Sequence, residues 1–278
     1  LTVLGSLSLY IYMLDYYNLS AMLSTDELQI QNSARDYLES EIRPHVSEWW
    51  EKGEFPKEKI PEFGEMGFFG ANLPVEYGCA GVNNVAYGLI MYELERVDSG
   101  LRSFASVQGA LVMYPIYRYG SEEQKKKYLS DMAAGKIVGC FGLTEHDGGS
   151  DPGAMKTKAV KDGESYILNG RKMWITNGNI ADVALVWAKN EQGRVKGFLV
   201  PTEPQHRYTS RTSSSMSTTA TLSIAVGGPK LKSVPVVAQI FDIAWAKSFS
   251  VGGSSKSFSR QGIARPGLRA DSEGLSAR

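Results

Sequence analysis

Two short stretches hold the residues best suited to chemistry. The run from Cys140 to Asp151, CFGLTEHDGGSD, gathers Gly142, Gly148 and Gly149 around Thr144, Glu145, Ser150 and Asp151. The run from Met173 to Asn177, MWITN, sets Trp174 beside the hydroxyl of Thr176 and an amide, between two strand-like runs. Glycines let a backbone approach a flat or phosphorylated ligand, and short polar side chains hydrogen-bond it. A Gly-rich run alone is a weak signal. By default Trp174 reads as a core aromatic, Thr176 as a strand hydroxyl, and Ser150 as a turn hydroxyl in Gly-Ser-Asp-Pro. A third candidate is Arg102, which on the same default is a surface cation paired with Glu95 or Asp98.

The bulk composition narrows the classes. The chain has 278 residues, 42% of them hydrophobic, with 30 Lys+Arg balancing 30 Asp+Glu. That balance argues against a nucleic-acid binder, which carries a basic excess. Two cysteines, Cys79 and Cys140, make neither a disulfide framework nor a metal pair, and His45, His146 and His206 are too scattered for a zinc site. No metal site is expected, and a reducing compartment fits. The apolar start, residues 1–14, is too short to span a bilayer and lacks a basic n-region. Met13 is a plausible start, so residues 1–23 read as an N-terminal extension without membrane insertion.

The elements that must position these residues change type partway along the chain. Ser24 to Glu27 is a capping-box pattern, and the helix that follows is expected to end at Pro44. Further helices are predicted over 58–66, 84–97 and 103–117, the last closed by Pro115. Another runs over 122–134, capped by Ser121 and stopped by Gly135. Short β-rich runs follow at 137–143, 156–160, 165–168, 173–176, 183–188 and 196–200. Turns at Asp162-Gly163, Asn169-Gly170, Asn177-Gly178 and Gln192-Gly193 separate them. The reading is an α+β multidomain chain: a helical domain over 24–135, an antiparallel β unit over 136–205, and an atypical, poorly ordered Ser-rich tail over 206–278. Within that tail, 234–245 has the composition of a strand or two.

The two motifs together resemble the flavin-binding signature of the acyl-CoA dehydrogenases, G-[LIVM]-[ST]-E-x-x-G-G-[ST]-D followed by W-I-T-N. Residues 16–203 carry the resemblance throughout, and it is nearest to the glutaryl-CoA dehydrogenase branch. The supporting stretches include 77–82, 92–100, Arg102-Ser103, 106–108 and 119–125. His146 departs from it, standing where the family usually has Pro. The resemblance implies a helical domain, a central β-barrel domain and a C-terminal four-helix domain. The sequence after Glu203 does not match that pattern, and the family's catalytic carboxylate belongs to the last of those domains. No catalytic residue is therefore assigned in this chain.

The resemblance also implies roles. FAD would be held by Phe141, Leu143, Thr144, Gly149, Ser150, Trp174, Ile175 and Thr176. Trp174 would lie along the flavin face and Thr176 near N5. Ser150 would also touch the thioester side of an acyl-CoA, and Arg102, with Ser103 and Ser106, would grip the free carboxylate of a glutaryl group. Glu145 lies inside the flavin loop and is read as structural, not as a base. The implied reaction removes an α-proton while hydride leaves the β-carbon for flavin, then decarboxylates the product to crotonyl-CoA and carbon dioxide. Electrons would pass to an electron-transferring flavoprotein, in a homotetramer of the bacterial cytoplasm or mitochondrial matrix. Two alternatives stay open: a dehydrogenase of a simple fatty or branched acyl-CoA, and a truncated product unable to bind FAD firmly or turn over.

Overall fold

The computed structural model describes residues 15–163 and 165–202, and the backbone of 220–225. The predicted strand region at 234–245 and the apolar start at 1–14 lie outside these. Among the described residues no helix is long and apolar enough to cross a membrane.

The helical part begins with α1, Thr25–Tyr37, whose capping box forms as expected: Glu27 N–H reaches Ser24 Oγ and Ser24 N–H reaches Glu27 Oε2. The helix does not end at Pro44. A π-helical stretch, Leu38–Ile42, leads into α2, Arg43–Lys52, where Pro44 sits in the first turn and Gly53 closes the helix. A proline in a first turn removes no needed donor, and the wider π turn makes room for its ring. The same device recurs downstream. The helix predicted to end at Pro115 runs on as α5, Ser99–Ser106, a π stretch Val107–Met113 and α6, Tyr114–Tyr119, with Pro115 again in a first turn. Between them lie α3, Ile60–Glu65, and α4, Asn84–Val97. The helical run closes with α7, Glu122–Ala133, capped by Ser121 as predicted.

Six strands follow: β1 Gly139–Gly142, β2 Lys158–Asp162, β3 Ser165–Ile175, β4 Val183–Lys189, β5 Val195–Pro201 and β6 Ala220–Ala225. The sheet order is β1-β4-β2-β3-β6, with β5 on β4. Three pairings are antiparallel, but β1 runs parallel to β4 along four residues and β2 meets β4 in parallel at Lys158 and Lys189. The sheet is therefore mixed, not wholly antiparallel. β1 and β4 are separated by the β2–β3 hairpin, a crossover long enough to bring the chain back in the same direction.

Two further expectations change. The runs at 165–168 and 173–176 merge into one strand that ends at Ile175, and Asn169-Gly170 is not a turn. Gly170 is needed for close approach instead: a Cβ there would stand 2.1 Å from Thr157 Oγ1. β6 falls in a stretch where the sequence offered no element.

β4 shows how the halves join. It is buried along nearly its whole length. Val183, Leu185 and Trp187 pack into the helical core, whereas Ala184, Val186 and Ala188 belong to a second core with Phe198, Val200, Leu168 and Ile175. Alternate residues of one strand thus serve two cores. The seam also carries polar ties. Buried Gln108 accepts from Gly139 N–H at 2.7 Å and donates to the carbonyls of Met132 and Ile137, leaving none of its amide atoms unmatched.

Candidate functional site

The structure brings the two motifs together. The loop after β1 crosses beside the end of β3: Met173 N–H donates to the Thr144 carbonyl at 3.0 Å, and Lys172 Nζ donates to the Leu143 carbonyl at 3.0 Å. Glu145 locks the loop from within. Its carboxylate accepts from Lys172 Nζ at 2.8 Å, from the N–H groups of Lys156 and Thr157, and from Thr157 Oγ1. Burial pushes this carboxyl up, but Lys172, Thr157 and the two amides outweigh it and hold it at about 2. An acid so fully committed cannot serve as a base near neutral pH, in line with its structural reading.

β3 is bulged where it reaches the loop. Its pairing with β6 runs from Lys172 opposite Leu222 to Ile175 opposite Ala220, three steps against two. The extra residue reorients the strand. In a regular strand Lys172 and Trp174 would share a face. Here Lys172 is fully buried, while Trp174 is 67% exposed with φ of 59°. A bulky aromatic in the left-handed region is strained, and such strain gathers at ligand sites. Asn177 has φ of 67° and is buried; its Nδ2 donates to the carbonyls of Phe104 and Gly139 at 3.3 and 3.1 Å. Half-buried Thr176 lies between these two positions, and Ile175 is buried beneath.

The other named residues surround this seam. Phe141 packs edge-on against Trp187 at 5.8 Å, and Leu143 rests on the helical core. Gly149 and Ser150 are exposed at the loop tip, and a Cβ on Gly149 would meet only Thr144 Cγ2 at 3.8 Å. Asp151, not Ser150, makes the turn that follows, accepting from Gly153 N–H. His146 is exposed and bonds Asp147, which also pairs with Lys156.

Helix α5 carries Arg102, Ser103 and Ser106, and the Phe104–Asn177 bond docks that helix on the MWITN segment. Ser106 Oγ donates to the Ser103 carbonyl. Arg102 is 36% exposed and pairs with Glu95 at 2.5 Å, while Asp98 caps α5 at Leu101 N–H. Lys172 and Thr157 had no role in the sequence reading. Their signal was parity: Lys172 occupies an inward position two pairs along from buried Leu168, where a cation needs a partner.

The residues present fit a flat cofactor with a polar edge. An aromatic face is turned outward by a bulge, two threonine side chains lie close by, and small glycines leave the loop tip open. Among the described residues no group of three His, Cys, Asp or Glu gathers as a metal site.

Comparison with known proteins agrees with this geometry. The family description "Acyl-CoA dehydrogenase, N-terminal domain" matches residues 24–136, and "Acyl-CoA dehydrogenase, middle domain" matches 140–226, well past Glu203. A glutaryl-CoA dehydrogenase from Mycobacterium smegmatis, solved in complex with FADH2, superposes with a TM-score of 0.74 at 46% identity, covering 81% of this chain and 58% of that one. A probable acyl-CoA dehydrogenase, YngJ, of Bacillus subtilis is 36% identical over 188 residues, 65% of this chain and 49% of the relative. A 3-(aryl)acrylate reductase of Clostridium sporogenes is 42% identical over 165 residues, 59% of this chain and 44% of the relative. The chain spans about half the length of these curated relatives. With the two family descriptions covering most of its length, the chain belongs to the acyl-CoA dehydrogenase family of FAD-dependent oxidoreductases.

Proposed function

We propose that the protein to which this chain belongs oxidises glutaryl-CoA and decarboxylates it to crotonyl-CoA and carbon dioxide. The observation that carries the reading is the docking of α5, with Arg102, Ser103 and Ser106, on the segment bearing Trp174 and Thr176. The likeness to a glutaryl-CoA dehydrogenase at 46% identity supports it. FAD, when bound, accepts the two electrons. Phe141, Leu143, Thr144, Gly149, Ser150, Trp174, Ile175 and Thr176 would form its bed, Trp174 offering its exposed indole and the threonines their hydroxyls. Ser150 also faces the thioester end of the acyl-CoA. Arg102 binds the distal carboxylate, helped by the hydroxyls of Ser103 and Ser106, in exchange for Glu95. The α-proton acceptor is assigned to no residue of this chain. An electron-transferring flavoprotein as acceptor, a homotetrameric assembly, and residence in a bacterial cytoplasm or mitochondrial matrix complete the reading.

A second reading has its own support. Arg102 is already paired with Glu95 through its Nε, and an uncharged fatty or branched acyl group would not disturb that pair. The two readings separate in the complete protein carrying Arg102→Leu. For a diacid thioester, kcat/KM falls by roughly 30-fold or more, since an unpaired carboxylate costs about 2–5 kcal/mol. Turnover of an uncharged acyl-CoA of similar length stays near wild type. Equal losses on both substrates would make Arg102 structural and leave the simple acyl-CoA reading.

A further inference from the structure

We propose that Lys172 is a positioning residue that sets the loop of Thr144 against the strand of Trp174, and so fixes the distance between the two halves of the flavin bed. Its use for flavin rests on the function proposed above; the positioning itself rests on geometry alone.

Three contacts cross from adjacent residues of β3 to adjacent residues of the loop. Lys172 Nζ reaches the Leu143 carbonyl and the Glu145 carboxylate, and Met173 N–H reaches the Thr144 carbonyl. Leu143, Thr144 and Glu145 are thus each gripped in turn, with the residue named for the cofactor's polar edge in the middle. The other ties of this loop run to Lys156 and Thr157, which hold Glu145 and Asp147 but not Leu143 or Thr144; 146, 147, 149 and 150 are exposed, and the internal backbone pairing is a single bridge between Glu145 and Gly148.

The ammonium is fully buried, an arrangement that apolar packing alone would not require. A methionine of similar length would fill the space without a charge to bury. What the ammonium adds is direction. Its N–H donors must meet the Leu143 carbonyl and the Glu145 carboxylate at once, so one loop position suits it and neighbouring ones do not, whereas an apolar contact tolerates sliding. Two residues along, the bulge turns Trp174 outward. A slip of the loop on Lys172 therefore becomes a slip of Thr144 relative to the Trp174 ring. The role differs from that of Gln108 and Asn177, which tie the sheet to the helices and do not touch the loop.

The test uses the 278-residue chain with Lys172→Met and with the paired Glu145→Gln/Lys172→Met. The single variant leaves Glu145 without its cation and is expected to melt lower. The double variant removes both charges while Gln keeps an acceptor for Thr157, and it is expected to melt within a few degrees of wild type. Hydrogen exchange then reads the seam. In the double variant, peptides covering 143–145 and 172–177 exchange at least tenfold faster, and peptides from α4 and β4 do not change. Wild-type exchange across the seam in a folded double variant would overturn the proposal. So would acceleration spread evenly over the whole sheet, which is what a merely structural role gives. Titration with FAD separates loop positioning from cofactor binding. If FAD binds the wild-type chain, the double variant binds at least tenfold more weakly; equal affinity would overturn the proposal. If the wild-type chain binds no FAD while exchange at the seam still accelerates, the positioning role stands, and the same two variants in the complete protein decide its use for flavin: equal FAD affinity there would overturn that use.

Discussion

Asn177 offers a quantitative check on the seam between helices and sheet. Its amide donates to two carbonyls from different halves of the fold, Phe104 on α5 and Gly139 on β1, and its φ is 67°. Asn177→Ala removes both bonds and keeps a Cβ in the left-handed region. Two net hydrogen bonds contribute about 1 kcal/mol each, and a left-handed alanine adds about 1–2 kcal/mol that asparagine partly evades. The expected loss is about 2–4 kcal/mol. Asn177→Gly loses the same bonds but relaxes the backbone, so its loss is smaller, about 1–2 kcal/mol. For an ordered region of this size, 1 kcal/mol corresponds to roughly 2–4 °C in melting temperature. Circular-dichroism melts of wild type and both variants supply the comparison, with the alanine chain melting lowest. If both variants melt with wild type, the amide bonds contribute nothing and the seam is held by apolar packing alone. If alanine and glycine fall equally, the left-handed backbone at 177 carries no strain.

Other outcomes follow from neighbouring geometry. Trp174→Gly removes an exposed aromatic from a strained position. The fold should keep its stability to within about 1 kcal/mol in a denaturant titration, while FAD affinity drops; a large loss of stability would show that the indole belongs to the core. Gly170→Ala places a Cβ 2.1 Å from Thr157 Oγ1, so a loss of about 1–3 kcal/mol is expected; a variant as stable as wild type would show that Thr157 can move without releasing Glu145. Glu145 titrates at about 2, down from an ordinary 4.5. Its ionised form thus adds stability that is fully present above about pH 4.5 and lost as pH falls towards 2. Glu145→Gln should flatten that part of the melting-temperature profile, and an unchanged acid slope would assign the titration to other carboxylates.

Much of the domain plan was legible in one dimension. Capping boxes at Ser24 and Ser121, the stop at Gly135, and the change from helical to strand periodicity are local features. Each is decided by side chains a few residues apart, so no partner from elsewhere is needed to read them. The same holds for the paired motifs around Thr144 and Trp174. What escaped was set by contacts distant in sequence. Pro44 and Pro115 look like stops, yet packing continues both helices through π stretches that make room for the rings. Asn169-Gly170 looks like a turn, yet the glycine exists because Thr157 presses against it. The mixed strand directions depend on where β4 returns, which no local period encodes. The buried Lys172–Glu145 pair joins residues 27 apart, and Glu95 is one of the two partners the sequence allowed Arg102. The sequence by itself determined the family motifs and the change from helices to strands; only the tertiary structure decided which residues face each other, because a lysine's partner is set by what the fold buries beside it.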